Sequence, residues 1–271
     1  MAVPRPVLRY HGGKFRLAPW IVANLPAHVA YVEPFGGAAS VLLHKPRAKV
    51  EVYNDLDDEV VGLFRVLRDP EAAGRLRDLV ALTPFARGEY EAAFEPCDEP
   101  VERARRMLVR SFMGVSSNAA TRKARAGFRR KRMGEVTPAA DWSSWPEAVG
   151  SMVERLRGVV VECRDALEVI RAYDEPGALI YADPPYPRET RTCHHASYRH
   201  ELTDQDHEDL ARALHGLRGA AVVSGYRCDL YDELYAGWRL VSRVARADRA
   251  ARRTECLWIS PGARLGLLDV G

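Results

Sequence analysis

Short apolar runs alternate with stretches of helical periodicity in the first and last parts of this chain. The runs predict buried strands at residues 30–32, 49–53, 159–163, 178–182 and 220–224. Apolar positions at helical spacing predict helices over residues 17–25, 40–45, 149–156, 166–172 and 204–217, the last with Thr203 as its N-cap. Residues 238–245 and 255–259 predict a C-terminal antiparallel hairpin. The order of the first elements is that of a nucleotide-binding βαβ unit, which indicates an α/β fold.

The middle of the chain carries helical periodicity. Val60, Val61, Phe64 and Leu67 share one helix face, and prolines at 84 and between 96 and 100 end the helices. We therefore predict that residues 57–145 form a helical subdomain. It is inserted into an α/β domain that consists of residues 1–56 and 146–271.

Composition narrows the class of protein. The chain has 271 residues, of which 47% are hydrophobic and 28% charged, so it can bury a full core. It has no apolar run as long as a membrane span, and its first residues lack the apolar core of a signal peptide, so we expect no membrane and a cytoplasmic location. Its five cysteines include no CxxC pair, which argues against a disulfide framework or a zinc site. Cys193-His194-His195 resembles part of a metal site, but we interpret it as a polar loop and expect no metal.

Basic residues are concentrated in one zone, although the net charge is only +3. Between 122 and 132 lie Arg122, Lys123, Arg125, Arg129, Arg130, Lys131 and Arg132, and upstream lie Arg103, Arg105, Arg106 and Arg110. Such a zone is what neutralisation of phosphates requires, whereas a solvated helix face is the alternative. Gly127 and Phe128 interrupt the run and Ser116-Ser117-Asn118 precede it, which favours a polar loop that binds nucleic acid.

The segment Asp183-Pro184-Pro185-Tyr186 follows the apolar run at 178–182. The prolines remove two backbone donors and stop the strand. A carboxylate, an unpaired carbonyl and a ring are then left at the carboxyl edge of the sheet, where open α/β sheets bind ligands. This set suits a planar group with an NH₂, such as a nucleobase, although Asp-Pro and Pro-Pro also form surface turns.

A Gly-rich turn and further charged residues follow the other predicted strands. The turn at residues 33–40 lacks the GxGxxG and Gly-Lys-Ser/Thr patterns, so it does not predict a phosphate loop. Asp55 follows the next strand, where an acid can accept from ribose hydroxyls or cap a helix. Asp165 could equally accept from an adenine amino group or cap the helix after it. Lys14, after two glycines, could pair with a ligand carboxylate or be a surface lysine.

Together these motifs resemble the Dam-like DNA adenine-N6 methyltransferases, phage and prophage members included. The resemblance rests on four segments in order: Tyr10-x-Gly12-Gly13-Lys14, the turn from Glu33 to Ser40, Asn54-Asp55, and Asp183-Pro184-Pro185-Tyr186. Residues 198–203 and 224–226 are also similar to phage-type members. One departure is Ala39, where many members have a glycine.

The resemblance implies a Rossmann-like methyltransferase sheet with helices on both faces, a C-terminal antiparallel hairpin and an inserted helical DNA-recognition subdomain. The cofactor that it implies is S-adenosylmethionine, bound by Tyr10, Lys14, Glu33, Pro34, Phe35, Gly37, Asp55, Asp165 and Asp183. The catalytic residues that it implies are Asp183, Pro184, Pro185 and Tyr186. The DNA contacts that we expect are Arg110, Ser116, Asn118, Arg122, Lys123, Arg125 and Arg129.

The implied reaction is site-specific methylation of a flipped-out adenine. The Asp183 carboxylate and the Pro184 carbonyl would each accept one N6 hydrogen, so that the nitrogen lone pair points at the sulfonium methyl. Tyr186 would stack on the extruded base. The expected partner is double-stranded DNA, and the protein is expected to be a monomer. A companion restriction endonuclease is a further partner that the resemblance leaves open. RNA as substrate, or an inactive nucleic-acid-binding relative, is the alternative. A nucleotide-binding dehydrogenase is disfavoured by the glycine spacing.

Overall fold

The computed structural model describes residues 3–115, 126–130, 137–190, 199–246 and 252–261. Its strands are β1 (Ala30–Glu33), β2 (Val50–Asn54), β3 (Val160–Glu162), β4 (Ala178–Ala182), β5 (Ala220–Tyr226), β6 (Arg239–Arg246) and β7 (Arg252–Ile259). Its helices are α1 (Ala18–Val22), α2 (Ser40–His44), α3 (Asp58–Arg68), α4 (Pro70–Leu82), α5 (Arg87–Ala92), α6 (Pro100–Met113), α7 (Pro138–Ser143), α8 (Val149–Leu156), α9 (Ala166–Ala172), α10 (Asp204–His215) and α11 (Asp229–Leu234). Single 3₁₀ segments span Trp145–Ala148 and Arg188–Thr190.

The described strands form a seven-stranded sheet in the order β3-β2-β1-β4-β5-β7-β6. Strands β1 to β5 pair in parallel, and β7 runs antiparallel to both β5 and β6. The chain moves from β1 towards one edge through β2 and β3, then crosses to the other side of β1 for β4. A topological switch point therefore lies between β1 and β4, where a crevice opens at the carboxyl ends of the strands. This mixed α/β sheet, flanked by helices, fits the methyltransferase fold that the resemblance implies.

Alternation along β4 divides the core between the two faces of the sheet. All five β4 residues are buried. Leu179 and Tyr181 belong to one apolar cluster, whereas Ile180 and Ala182 belong to a second. Successive side chains of a strand point to opposite faces, so a strand covered by helices on both sides needs apolar residues at every position. This explains why β4 is a continuous apolar run.

The helices of the middle segment pack directly against the sheet. Phe64 of α3 lies against Tyr53 of β2, with ring centroids 4.3 Å apart. Apolar residues of α3, α4, α6 and α8 join the same cluster as Leu179, while α9, α10 and α11 cover the other face. The helical character of residues 57–145 is thus present in α3 to α7, and the limits of the subdomain stay a prediction.

Several helix ends follow from local capping. Thr203 and Asp206 form a capping box at the start of α10, which confirms the predicted N-cap. The helix predicted over residues 17–25 is shorter, ending at Val22. The hairpin is confirmed, but α11 was not predicted, because its six residues are too few for a helical pattern to emerge.

The described residues contain no candidate for a membrane span or a metal site. None of their helices combines the length and apolarity needed to cross a membrane. Nor do these residues contain a group of three or more His, Cys, Asp or Glu side chains that could hold a metal ion. Cys193, His194 and His195 lie outside the described residues.

Candidate active site

A cavity of about 340 Å³ opens at the carboxyl ends of the central strands. It lies at the switch point, because the residues that follow β1, β2 and β4 all contribute to its wall. All nine predicted cofactor residues line it: Tyr10, Lys14, Glu33, Pro34, Phe35, Gly37, Asp55, Asp165 and Asp183. The fold thus brings residues from five distant segments to one place, and their individual roles stay proposals.

The turn after β1 is packed so closely that a side chain would not fit at its centre. A Cβ on Gly36 would lie 2.1 Å from Cε2 of Tyr53. Gly37 has φ of 47°, in the left-handed region that favours glycine. Its carbonyl accepts a 2.7 Å hydrogen bond from the Tyr53 hydroxyl. Ala39, which stands where the resemblance leads us to expect a glycine, has φ of 53° and so also lies in the left-handed region.

Asn54 connects the loops that follow three neighbouring strands. This side chain is fully buried. Its Nδ2 donates to the carbonyls of Pro34 and Arg164 at 2.8 and 3.0 Å, and its Oδ1 accepts from the Arg164 amide at 2.9 Å. Each buried polar atom of the side chain therefore has a partner, which fixes the loops after β1, β2 and β3 relative to one another.

Asp55 and Asp165 both accept backbone hydrogen bonds at the cavity. Asp55 accepts from the amides of Gly37 and Asp57 at 2.8 and 2.9 Å, and burial raises its pKa to about 6. Asp55 therefore braces the Gly-rich turn rather than capping α3, whose N-cap is Asp57. Asp165 is the N-cap of α9, accepting from Leu167 N at 2.9 Å. The capping alternative for Asp165 is confirmed, and its carboxyl also lines the cavity.

Glu33 is buried at the end of β1, with only 2% of its surface exposed. It accepts from the Tyr31 hydroxyl and from the Leu42 amide, both at 3.1 Å. Burial raises the pKa of Glu33 to about 8, because removal from water disfavours the charged carboxylate. Glu33 is thus a carboxyl group that holds its proton near neutral pH.

Asp183 is held by two neighbours at the end of β4. Its Oδ1 accepts from the Ser224 hydroxyl at 2.7 Å and lies 2.9 Å from Lys14 Nζ. The Tyr181 hydroxyl in turn donates to Ser224 Oγ at 3.0 Å. These two hydrogen bonds between β4 and β5 orient the Asp183 carboxylate. The Lys14 ammonium, which we expected beside a ligand carboxylate, is paired here with Asp183.

Tyr186 lies beside the same group of charges and is only 7% exposed. Its hydroxyl donates a short hydrogen bond to the Glu255 carboxylate, and Lys14 Nζ lies 4.7 Å from its ring centroid. Tyr226 meets the ring edge-on, with centroids 4.8 Å apart. Glu255 itself is 3% exposed, and burial raises its pKa. The aromatic ring of the motif is therefore fixed in place by contacts at its hydroxyl and its edge.

The cluster includes residues whose roles were not predicted from sequence. Glu255 lies 3.6 Å from Lys14 Nζ, so Lys14 faces two carboxylates. The available signal was an acid at the start of the apolar run at 255–259, because a buried strand seldom holds an unpaired charge. Ser224 lies in the segment that is similar to phage-type members, but its contact with Asp183 depends on the pairing of β4 with β5.

Comparison with known proteins identifies the family. A family model described as D12 class N6 adenine-specific DNA methyltransferase matches residues 10–90 and 143–249. The chain belongs to this family. It is therefore an adenine-specific DNA methyltransferase of the D12 class. The matched segments contain the cavity residues described above, whereas Glu255 and residues 91–142 lie outside them.

Several curated proteins are similar to this D12-class methyltransferase over most of their length. It is 24% identical to the type II methyltransferase M.MjaIII of Methanocaldococcus jannaschii, over 89% of this chain and 91% of that protein. It is 26% identical to a DNA adenine methylase of Salmonella typhi, over 85% of this chain and 84% of that protein. It is 25% identical to a DNA adenine methylase of Serratia marcescens, over 92% and 93% respectively.

Most of the predicted DNA contacts of this methyltransferase fall outside the described residues, namely Ser116, Asn118, Arg122, Lys123 and Arg125. Arg110 is only 9% exposed, lies 2.9 Å from Glu59 and donates to the Ala93 carbonyl. Its assignment to DNA is therefore corrected, because a buried and paired guanidinium belongs to helix packing. Arg129 donates its backbone amide to Met113 O at 2.7 Å, and its guanidinium lies 3.6 Å from Asp141.

The upstream half of the basic zone is similarly neutralised within the protein. Arg105 and Arg106 both pair with Glu102, at 2.6 and 2.7 Å. Arg103 pairs with Asp58 at 3.0 Å. The arginines of α6 thus balance nearby acids.

Proposed function

We propose that this methyltransferase takes its methyl group from S-adenosylmethionine bound in the cavity and transfers it to N6 of an adenine extruded from duplex DNA. The observation that supports this most is the position of Asp183. The first residue of the Asp-Pro-Pro-Tyr segment lines the same cavity as the predicted cofactor residues, at the switch point of the sheet.

The residues at the cavity fit the proposed cofactor. A volume of about 340 Å³ is within the range of small-molecule sites. The glycines of the turn after β1 let the backbone approach a ligand, and Asp55 stands where a carboxylate can accept from ribose hydroxyls. Carboxyl groups dominate the polar lining, which suits a ligand that carries a sulfonium and an ammonium. When bound, S-adenosylmethionine supplies an electrophilic methyl group on its sulfonium.

The protein's part in the reaction follows from the chemistry of the adenine amine. The N6 lone pair is delocalised into the purine ring, so the free amine is a poor nucleophile. In the proposal, the Asp183 carboxylate accepts one N6 hydrogen and the Pro184 carbonyl accepts the other. Both acceptors draw the hydrogens out of the plane of the base and favour a pyramidal nitrogen. The carboxylate also stabilises the positive charge that develops on this nitrogen.

Neighbouring groups prepare the carboxylate for this role. Ser224 donates to Asp183 Oδ1 and so restricts rotation of the carboxylate. Lys14 Nζ lies 2.9 Å from the same oxygen and restricts the carboxylate further. Pro185 lines the cavity and Tyr186 offers its ring to the extruded base, although the Lys14 ammonium already lies over that ring. Stacking of a base on that face of Tyr186 therefore requires Lys14 to move.

A methyl-transfer assay tests the proposal. The protein is incubated with tritiated S-adenosylmethionine and either duplex DNA or single-stranded RNA, and the labelled base is identified. We expect label on adenine of the duplex, and Asp183→Asn is expected to abolish it. Asp232→Asn, which changes a half-buried acid that is paired with Arg227 and does not line the cavity, is the matched control and should remain active. An active Asp183→Asn enzyme would refute the mechanism, and label on RNA alone would refute the substrate.

The proposed DNA contacts have a separate test. Arg122, Lys123 and Arg125 are proposed to neutralise phosphates, each contributing about 0.9 to the slope of log affinity against log salt concentration. Replacing all three by Gln should weaken duplex binding at every sequence and lower that slope by about 2 to 3. An unchanged slope would contradict the assignment. A monomeric state, a companion restriction endonuclease and a cytoplasmic location stay predictions.

A further inference from the structure

Residues 199–202 form one part of the cavity wall, and we call them the wall segment. The cavity is lined by Arg199, His200, Glu201 and Leu202. It is also lined by the residues that follow β1 and β2, which lie far from the wall segment in the sequence. The wall segment has no regular secondary structure and directly precedes the N-cap of α10. Contacts outside its own backbone must therefore determine where it lies.

Arg199 supplies such contacts by binding the start of α3. Its Nη1 lies 2.9 Å from Asp57 Oδ1, and its Nη2 lies 2.9 Å from Glu59 Oε2. Asp58 Oδ1 is 3.7 Å from Nη1. The two ends of one planar guanidinium thus hold two different carboxylates, an arrangement that the single ammonium of a lysine does not reproduce.

Asp57 depends on this cation more than an ordinary surface acid would. Asp57 is 3% exposed, and its second oxygen, Oδ2, is buried and accepts no hydrogen bond from the described residues. Burial raises the pKa of Asp57, while Arg199 is the largest influence in the opposite direction. Removing the guanidinium would leave a buried carboxylate without its compensating charge.

The same contact extends to Asp55 at the cavity. The Asp57 amide donates to Asp55 Oδ1 at 2.9 Å, and the other oxygen of Asp55 accepts from Gly37 N. The position of Asp57 therefore influences the carboxylate that we propose to hold the ribose. The Arg199 guanidinium therefore joins the wall segment to the loop that carries Asp55 and Asp57.

Glu59, the second acid that Arg199 binds, is itself held by α6. Glu59 Oε2 also lies 2.9 Å from Nη2 of Arg110 on α6. Arg110 is 9% exposed and donates to the Ala93 carbonyl at 2.7 Å. Arg199 is thus attached to packed helices rather than to another loop.

We propose that Arg199 is a positioning residue for the cofactor: it fastens the wall segment to α3 and, through Asp57, holds Asp55 in the geometry that binds the nucleoside part of the ligand. This proposal rests on the proposed function, since it assumes that S-adenosylmethionine occupies the cavity. It adds a determinant of cofactor affinity at a residue outside the four motifs that carry the family resemblance.

The test measures binding of S-adenosylhomocysteine to the full chain by calorimetry. Arg199→Gln is expected to raise the dissociation constant about tenfold, and Arg199→Lys is expected to give an intermediate value. Arg103→Gln is the matched control, because Arg103 also pairs with the start of α3 through Asp58 but does not line the cavity. Its dissociation constant should equal that of the unmodified protein.

Steady-state kinetics separate positioning from a general structural defect. Arg199→Gln should raise KM for S-adenosylmethionine while kcat at saturating cofactor stays within about twofold of the unmodified enzyme. A dissociation constant within about twofold of the unmodified protein, or a fall in kcat with unchanged KM, would overturn the proposal. If Arg199→Gln fails to fold, unaltered binding by Arg199→Lys would overturn it equally. An unmodified protein that binds no S-adenosylhomocysteine would overturn the proposed function itself.

Discussion

Adding one methyl group at Gly36 should damage both the stability and the cofactor site of this protein. A Cβ there would lie 2.1 Å from Cε2 of Tyr53 and 2.8 Å from the carbonyl oxygen of Asn54. Neither the Tyr53 ring nor the Asn54 carbonyl can shift to make room for the methyl group. The Tyr53 hydroxyl is bonded to Gly37 O and its ring packs 4.3 Å from that of Phe64, while Asn54 O accepts from Gly36 N at 2.7 Å.

The expected cost of Gly36→Ala can be estimated from these contacts. Overpacking of a dense core costs about 1 to 3 kcal/mol. Loss of the hydrogen bonds at Tyr53 and Asn54 adds about 1 kcal/mol each. We therefore expect a loss of about 3 to 5 kcal/mol in the free energy of unfolding. For a domain of this size this corresponds to a fall in Tm of roughly 6 to 20 °C.

Thermal denaturation followed by circular dichroism measures this effect, and calorimetry with S-adenosylhomocysteine measures its consequence for the cavity. Gly62→Ala is the matched control, because Gly62 lies inside α3 and a Cβ there meets nothing within 4 Å. Alanine is the better helix former, so this control should gain about 0.5 to 1 kcal/mol. The reasoning is refuted if Gly36→Ala melts as high as the unmodified protein, or if both variants shift Tm in the same direction.

Three further outcomes are expected. Asn54→Ala removes the side-chain bonds to the loops after β1 and β3, and should cost about 3 kcal/mol of stability and weaken S-adenosylhomocysteine binding; an unchanged Tm would contradict this. Burial raises the pKa of Glu33 from 4.5 to about 8, so the folded state retains a proton that the unfolded chain releases, and this stability is lost as pH rises between those values. Glu33→Gln should therefore remove a few kcal/mol of this pH dependence and reduce the fall in Tm between pH 5 and pH 8, part of which remains because burial also raises the pKa of Asp55 to about 6; an undiminished fall would count against it. Glu255→Gln removes the charge that faces Lys14 and Tyr186, and should lower kcat at least about tenfold. The fall in kcat should be smaller when Tyr186 is already replaced by Phe; an equal fall in both backgrounds would exclude coupling between Glu255 and Tyr186.

The local pattern was enough to locate most strands and the charged residues that follow them. The runs at 178–182 and 220–224 became β4 and β5, because β-branched and aromatic residues in a short apolar run suit a strand covered on both faces. Glu33, Asp55 and Asp183 were predicted to lie together, and they line one cavity. Parallel strands bring their carboxyl ends to the same edge, so the position of each acid after its strand was sufficient.

The sequence pattern did not predict which distant segments lie side by side in the fold. Neither the insertion of β7 between β5 and β6 nor the burial of Glu255 beside Tyr186 follows from any local spacing. Arg110 was assigned to DNA because it lies in a basic zone, yet it is buried against Glu59. A charge run shows only composition, and whether each guanidinium meets solvent or an acid depends on which helices pack beside it.

The sequence alone determined the alternation of strands and helices, the family resemblance and the residue types at the ends of the strands. These depend on side-chain periodicity and on motifs within a few residues, and both are local properties of the chain. Only the tertiary structure decided that Asn54 joins three loops, that Ser224 and Lys14 share Asp183, and that Arg199 binds the start of α3. Those contacts join residues up to 169 positions apart in the numbering, between Lys14 and Asp183, and only the packing of the sheet and helices sets such distances.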